Sequence, residues 1–284
     1  MEKISSLQSL PLKKVLRAKH IAVPAEHGAW VFLFSPLLIG LALGGWSQGS
    51  FPLILALLSA FLIRQPLTIL VKIYSGRRTM KDLYPAVFWM FIYSVLLITS
   101  LTALIMLKYQ FILYLAVPAI PVFIWHLCLV SKRAERRQKL IEVVAGGVLA
   151  LAAPAVYWVG IEQYAPLGWL LWGLAWLQVA GTILSAYLRL NQRQLKEMPS
   201  RREMLRMATQ TLLFNTVLLV GVVILAITGW VPPFTPLAFL IQPLEVIWGI
   251  YRPAIAVSPK RIGIRQLIIS SLFTLVFIAT WWLG

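Results

Sequence analysis

Acidic residues are scarce in this sequence. Its 284 residues include 26 Lys and Arg but only 9 Asp and Glu, and Asp82 is the single aspartate. A protein that holds Mg²⁺ on a diphosphate needs several carboxylates close together, because Mg²⁺ takes oxygen ligands. No DxxxD spacing is present. We therefore expect no metal and no cofactor, and we expect arginine and lysine to bind any anionic ligand directly.

Cysteine is nearly absent as well. Cys128 is the only one, which excludes an intramolecular disulfide and any CxxC metal or redox motif. The sequence also lacks HExxH, GxSxG and Walker A motifs. Zinc peptidases of the HExxH type, α/β-hydrolases and P-loop nucleotide-binding proteins are therefore excluded as classes.

Charged residues of both signs together make up only 12% of the chain, while 60% of the residues are hydrophobic. A soluble domain does not need so much apolar surface, so the composition indicates a membrane protein. Backbone groups in lipid must be paired within their own segment, which makes long apolar runs helical. Such runs occur at 28–46, 51–71, 84–106, 111–130, 141–160, 166–187, 207–229, 233–251 and 264–284. The prediction is an all-α polytopic membrane protein with about nine transmembrane helices.

The basic residues are distributed unevenly. Almost all of them fall in the N-terminal tail or in the loops 72–83, 131–140, 188–206 and 252–265. By the positive-inside rule these loops are cytoplasmic. We therefore expect a multi-pass protein of the cell inner membrane, with a cytoplasmic N-terminus and an external C-terminus. Nucleic-acid binding is not expected, because no soluble basic domain is present to carry it.

The domain organisation predicted from these runs is simple. Residues 1–22 form a basic cytosolic tail, and residues 23–284 form one transmembrane helical domain. Each of spans five to eight begins at a nearly constant distance along the chain after the corresponding span of the first four. Glu26 stands at the start of span one and Glu142 at the start of span five. This spacing predicts a bundle of four, four and one helices.

Polar residues at the cytosolic level of the spans are the candidate functional residues. Intramembrane charges usually face a bundle interior and pair with one another, so we expect one polar pocket open to the cytosol. The proposed catalytic residues, which would move a proton, are Glu26, His27, Glu142 and Glu245. The proposed substrate-binding residues, which would hold an anionic head, are Arg64, Gln65, Lys72, Arg189, Asn191, Arg193 and Arg265.

Several of these residues also have structural interpretations. Glu26 and Glu142 fit first helical turns, where the helix dipole favours a carboxylate. Glu245 lies mid-span, and Arg252 shares its helix face. Gln178 and Asn215 could form the floor of the pocket or join helices. Pro66 is expected to bend its helix beside Arg64.

Three stretches, at residues 24–30, 64–67 and 259–265, resemble the YwiC-like family of bacterial membrane proteins. The small residues of 142–154 fit the same family, and the resemblance covers about residues 22–284. It implies a membrane protein with no assigned reaction. The family often has glutamate where this chain has Gln266, so the resemblance gives that position no role.

The 4+4+1 helix pattern is similar, more loosely, to the UbiA superfamily of intramembrane prenyltransferases. Those enzymes carry acidic motifs after spans two and six to bind Mg²⁺ and an isoprenyl diphosphate. The equivalent stretches here, 64–78 and 187–193, are basic. If the fold is shared, the resemblance implies a site that has changed so that it binds an anion without a metal ion.

Three functions stay open at this point. The first is an enzyme or binder of an isoprenoid or other anionic lipid, with the lipid bilayer as its surroundings. The second is a transporter or permease for a small anion, which an odd helix count and an almost wholly apolar outer half disfavour. The third is a non-catalytic membrane assembly factor.

Overall fold

The computed structural model describes residues 19–24, 27–133, 138–195 and 197–284. Within these ranges the chain is helical and contains no β-strand. The helices are α1 (Lys19–Ala22), α2 (His27–Gly44), α3 (Ser50–Tyr74), α4 (Leu83–Met106), α5 (Ala116–Ser131), α6 (Lys139–Ala150), α7 (Ala152–Gly160), α8 (Leu167–Gln192), α9 (Arg201–Ile227), α10 (Pro236–Tyr251) and α11 (Pro259–Leu283). Two 3₁₀ helices, Met80–Asp82 and Gln110–Leu115, precede α4 and α5.

The helix lengths fit a membrane-spanning bundle. Seven helical segments of the described ranges are long and apolar enough to cross a membrane. Two shorter apolar helices, Gly28–Gly44 and Pro236–Tyr251, bring the number found in those ranges to nine. The predicted all-α polytopic fold with about nine transmembrane helices is confirmed.

The fifth predicted span, 141–160, is not one continuous helix. It is interrupted at Leu151, between α6 and α7. Pro154 has no N–H with which to pair the carbonyl of Ala150, so the i→i−4 ladder cannot continue there. The Leu151 N–H bonds to the Val148 carbonyl instead, at 3.2 Å. In contrast, α3 runs from Ser50 to Tyr74 through Pro66 without interruption.

The first span, α2, is in contact with helices from several parts of the chain. It packs against α6, α7, α8 and α11. Its crossing with α7 depends on small residues: a Cβ added at Gly40 would lie 2.4 Å from the carbonyl oxygen of Ala153. One added at Gly44 would lie 2.6 Å from the carbonyl oxygen of Tyr157. Gly40 and Gly44 are four residues apart, a spacing that lets two membrane helices approach closely.

Replacing Gly40 with leucine therefore tests this crossing. The added side chain must push α2 away from α7, and overpacking of this kind typically costs about 1–3 kcal/mol. We expect Gly40→Leu to lower the free energy of unfolding by that amount, measured by denaturant titration in mixed micelles. The control is Gly221→Leu on α9, because no atom lies within 4 Å of a Cβ added there. Equal losses in the two variants would contradict the described crossing.

The helix α5 is the least embedded of the spans. It packs on α3 and α6, while close packing on α4 is not seen. Val130 is its one buried residue. Much of α5, together with the facing side of α4, therefore remains available to lipid.

Candidate functional site

A polar chamber of about 650 Å³ opens at the basic end of the bundle, where residues 72–83 connect the spans. Its walls come from α2, α3, α5 and α6. The polar side chains that line it are Arg64, Gln65, Thr68, Lys72, His126 and Glu142. Four of the predicted site residues, Arg64, Gln65, Lys72 and Glu142, are thus brought together.

The α3 wall of the chamber follows from helical spacing. Arg64, Thr68 and Lys72 are each four residues apart, so they lie above one another on one face of α3. The guanidinium carbon of Arg64 lies 5.7 Å from the centre of the Phe61 ring. This is a cation–π contact, which orients the guanidinium at the inner side of the chamber.

Gln65 joins the chamber to the segment that precedes α2. Its Nε2 donates a hydrogen bond of 3.0 Å to the carbonyl of His20. The hydroxyl of Tyr93 donates to the carbonyl of Ala22 at 2.9 Å. Ile21, between them, is fully buried against α3 and α4. Gln65 therefore holds α1 against α3 as well as lining the chamber.

Glu142 supplies a carboxylate to the chamber from the first turn of α6. Its Oε1 accepts a hydrogen bond of 2.6 Å from the hydroxyl of Tyr187 on α8. The ammonium of Lys139 lies 5.5 Å from the centre of the Tyr187 ring. The first-turn position also fits the favourable interaction of a carboxylate with the helix dipole.

An apolar cavity of about 270 Å³ continues from the chamber. The two share Arg64, His126, Ala145 and Leu149 in their linings. Apart from Arg64 and His126, the side chains that line the apolar cavity are hydrocarbon or aromatic, and they come from α2 to α7 and the 3₁₀ helix before α5. The chamber is therefore lined by both polar and apolar side chains, whereas the cavity beyond Arg64 and His126 is lined by apolar side chains.

Arg189, Glu245 and Arg265 form a separate, buried ion-pair cluster between α8, α10 and α11. Nη2 of Arg189 lies 2.8 Å from Oε1 of Glu245, and both side chains are 4% exposed. Arg265 donates from Nε to Oε1 of Glu245 at 2.7 Å and from Nη2 to Oε2 at 2.6 Å. None of the three lines the polar chamber.

The other donors of Arg189 bond to backbone carbonyls and, at 3.4 Å, to the side-chain oxygen of Gln192. Nη1 donates to the carbonyl of Arg252 at 3.0 Å, and Nη2 to the carbonyl of Glu245 at 3.2 Å. Gly249 makes room for the guanidinium, since a Cβ there would lie 2.4 Å from its central carbon. Arg252 does not neutralise Glu245: its guanidinium lies 5.0 Å from the Trp248 ring.

The other predicted site residues lie elsewhere. Asn191 and Arg193 are exposed at the end of α8 and do not line the chamber. Glu26 lies outside the described residues. His27 begins α2, but its side chain is outside the described part of the chain. The single pocket expected from the sequence is therefore divided into a chamber, a buried ion-pair cluster and an exposed helix end.

The deeper polar residues form hydrogen bonds both within and between helices. Gln178 donates to the hydroxyl of Thr182 at 3.1 Å, and that hydroxyl lies 3.4 Å from Oε1 of Gln242. Nε2 of Gln242 donates to the hydroxyl of Ser185 at 2.7 Å. Asn215 donates to the carbonyl of Thr211 on its own helix. Gln242 therefore joins α10 to α8 through Thr182 and Ser185, whereas the bonds of Gln178 and Asn215 stay within their own helices.

Three residues at or beside the chamber were not among the predicted site residues. His126 and Thr68 line it, and Tyr187 holds Glu142. Thr68 could have been found from its spacing of four from Arg64 and from Lys72. Tyr187 offered no comparable signal, because its contact with Glu142 joins residues of two different spans.

Comparison with known proteins identifies one family. The family model described as YwiC-like protein matches residues 23–157, just under half of the chain. The resemblance drawn from residues 24–30 and 64–67 is confirmed over that segment, while residues 259–265 lie beyond it. No curated protein and no solved structure matches the chain. The likeness to the UbiA superfamily stays a prediction from the sequence.

Proposed function

We propose that this multi-pass membrane protein, YwiC-like over residues 23–157, binds an anionic amphiphile with an isoprenoid or similar single apolar tail. The head would occupy the polar chamber, and the tail would occupy the apolar cavity. The chamber would face the cytoplasm, as the distribution of basic residues predicts.

The observation that carries this proposal is the junction of the two spaces at Arg64. A guanidinium binds a phosphate or carboxylate through two parallel hydrogen bonds. Arg64 stands where the polar lining ends and the apolar lining begins. Lys72 lies two helical turns along the same face and adds a second positive charge. A ligand with a charged head joined to a long apolar chain matches this arrangement.

The surroundings of the apolar cavity support a ligand that enters from the bilayer. Leu97 and Leu101 of α4 line one side of it, and Ala119 and Phe123 of α5 line another. These two helices do not pack closely on each other. An apolar chain could therefore pass between α4 and α5 from the lipid.

The apolar lining disfavours transport of a small anion through the same space. A charge moved beyond Arg64 and His126 would meet only hydrocarbon and aromatic side chains, and an unpaired charge in such surroundings is costly.

For a reaction at the head, Glu142 is the group we propose as proton carrier. The hydroxyl of Tyr187, 2.6 Å away, would hold its carboxylate in place.

Mass spectrometry of the purified protein tests the proposal. We expect an anionic amphiphile to copurify with the wild-type protein and to be lost from Arg64→Ala, because the guanidinium at the head position is gone. Arg193→Ala is the matched control, since Arg193 is exposed and lies outside the chamber. Wild-type protein free of any such lipid, or retention of the lipid in Arg64→Ala, would contradict the proposal.

A further inference from the structure

A third cavity adjoins the polar chamber on the side of α11. This side pocket has a volume of about 180 Å³ and shares Gly28, Phe32 and Glu142 with the chamber. Its far wall contains Gln266 and Ser270 of α11. At about 30 Å³ for each water molecule, the side pocket has room for a ligand group of several non-hydrogen atoms.

The polar groups of the far wall have no hydrogen-bond partner among the described residues. Gln266 is 7% exposed and Ser270 is 2% exposed. Both amide atoms of Gln266 and the hydroxyl of Ser270 are buried without a hydrogen bond to any described residue. An unsatisfied buried polar group costs about 1–3 kcal/mol. Three such atoms in one pocket point to a ligand that supplies the missing bonds.

The chemistry of the pocket indicates the kind of group it would take. The amide of Gln266 and the hydroxyl of Ser270 each offer both a donor and an acceptor. No lysine or arginine is among the residues that line the side pocket, so no cationic side chain is present there to hold an anion. A neutral hydroxyl, which donates and accepts at once, satisfies this set of groups.

We propose that the side pocket binds a neutral, hydroxyl-bearing part of the amphiphile head, such as a glycerol unit, while the anion is held at Arg64 and Lys72. This inference rests on the proposed function, because it assigns a second part of the same ligand. The ligand is then a phosphodiester. One substituent of its phosphate is the apolar tail, and the other carries hydroxyl groups. Gln266 and Ser270 are then binding residues that select this substituent.

Gly263 allows the side pocket to be altered without a clash with neighbouring atoms. No atom lies within 4 Å of a Cβ added at Gly263, and Gly263 lines the side pocket but not the chamber. Gly263→Leu should therefore fill the side pocket and leave the chamber open. Gly221→Leu makes the same chemical change on α9, away from both spaces, and serves as its control.

The test compares two probes of equal charge, farnesyl methyl phosphate and farnesyl phosphoglycerol. Their dissociation constants are measured by calorimetry on the full chain in phosphatidylcholine nanodiscs. For the wild-type protein we expect the glycerol diester to bind about ten-fold more tightly, because its hydroxyls bond to Gln266 and Ser270. Gln266→Leu and Gly263→Leu should remove this preference while binding of the methyl diester stays unchanged, and Gly221→Leu should keep it.

The outcomes separate the two proposals. If both probes bind equally to the wild-type protein, and both depend on Arg64, the side pocket holds no head group and this inference fails while the proposed function stands. A preference that persists in Gln266→Leu and Gly263→Leu also overturns the inference. If neither probe binds to the wild-type protein, the proposed function and this inference fall together.

Discussion

Replacing Glu245 with leucine is expected to lower the free energy of unfolding by about 3–5 kcal/mol, the usual loss when one partner of a buried ion pair is removed. Arg189 is 4% exposed, and Glu245 is the carboxylate that pairs with it. In Glu245→Leu this guanidinium stays buried with only neutral acceptors. The measurement is the midpoint and slope of denaturant unfolding in mixed micelles, or the thermal midpoint in nanodiscs.

The double variant Arg189→Met/Glu245→Leu distinguishes burial of an unpaired charge from loss of packing. Replacing a whole buried ion pair with apolar side chains of similar volume is often neutral or stabilising. Arg265 is 40% exposed and can be solvated at the helix end. We therefore expect the double variant to recover most of the lost stability. A double variant as unstable as Glu245→Leu would contradict the view that the loss comes from burying an unpaired charge.

Replacing Arg64 with alanine is expected to weaken binding of farnesyl phosphate by about 10- to 150-fold, since a charge-assisted hydrogen bond contributes about 1.5–3 kcal/mol. Arg64→Lys should fall between wild type and Arg64→Ala, because lysine keeps the charge but cannot form two parallel hydrogen bonds. The dissociation constants are measured by calorimetry in phosphatidylcholine nanodiscs. Lys72→Ala should have a smaller effect, as Lys72 lies farther from the junction with the apolar cavity.

Two controls accompany the Arg64 variants. Arg193→Ala removes the same charge from an exposed position and should change the dissociation constant less than two-fold. The free energy of unfolding of Arg64→Ala is measured alongside, so that a loss of binding is not confused with a loss of folded protein. Equal weakening by Arg64→Ala and Arg193→Ala would mean that overall charge, and not the chamber, attracts the ligand.

Composition and hydropathy predicted the helix class and the number of spans because both depend on local properties. Each apolar run must pair its own backbone groups in lipid, so its helical structure does not depend on its neighbours. The packing of span five, by contrast, depends on a neighbouring helix, since a Cβ at Gly147 would lie 2.7 Å from the Trp176 ring. The interruption at Leu151 was missed, although Pro154 was visible in the sequence.

The candidate site was harder to predict, because sequence gives the depth of a residue along its span but not the direction it faces. Arg64, Arg189 and Glu245 were assigned to one level and therefore to one pocket. In the structure Arg64 lines the chamber, whereas Arg189 and Glu245 face each other between α8 and α10. Which helices become neighbours is decided by contacts between distant parts of the chain, such as the crossing of α2 and α7 at Gly40.

Gln266 shows a second limit of sequence reasoning. Nothing in the sequence distinguishes a buried amide with partners, such as Gln242, from one without them. Gln242 donates to Ser185 at 2.7 Å, whereas Gln266 has no partner among the described residues. Only the positions of the surrounding helices separate a helix–helix contact from a group that a ligand can satisfy.

The central claim is that one ligand occupies the polar chamber and the apolar cavity together. Its most direct test is a single calorimetric comparison of farnesyl phosphate, farnesol and inorganic phosphate on the wild-type protein in nanodiscs. We expect farnesyl phosphate to bind at least about 100-fold more tightly than either fragment, because head and tail are held at once. Inorganic phosphate binding as tightly as farnesyl phosphate would contradict the claim, since the apolar cavity would then contribute nothing.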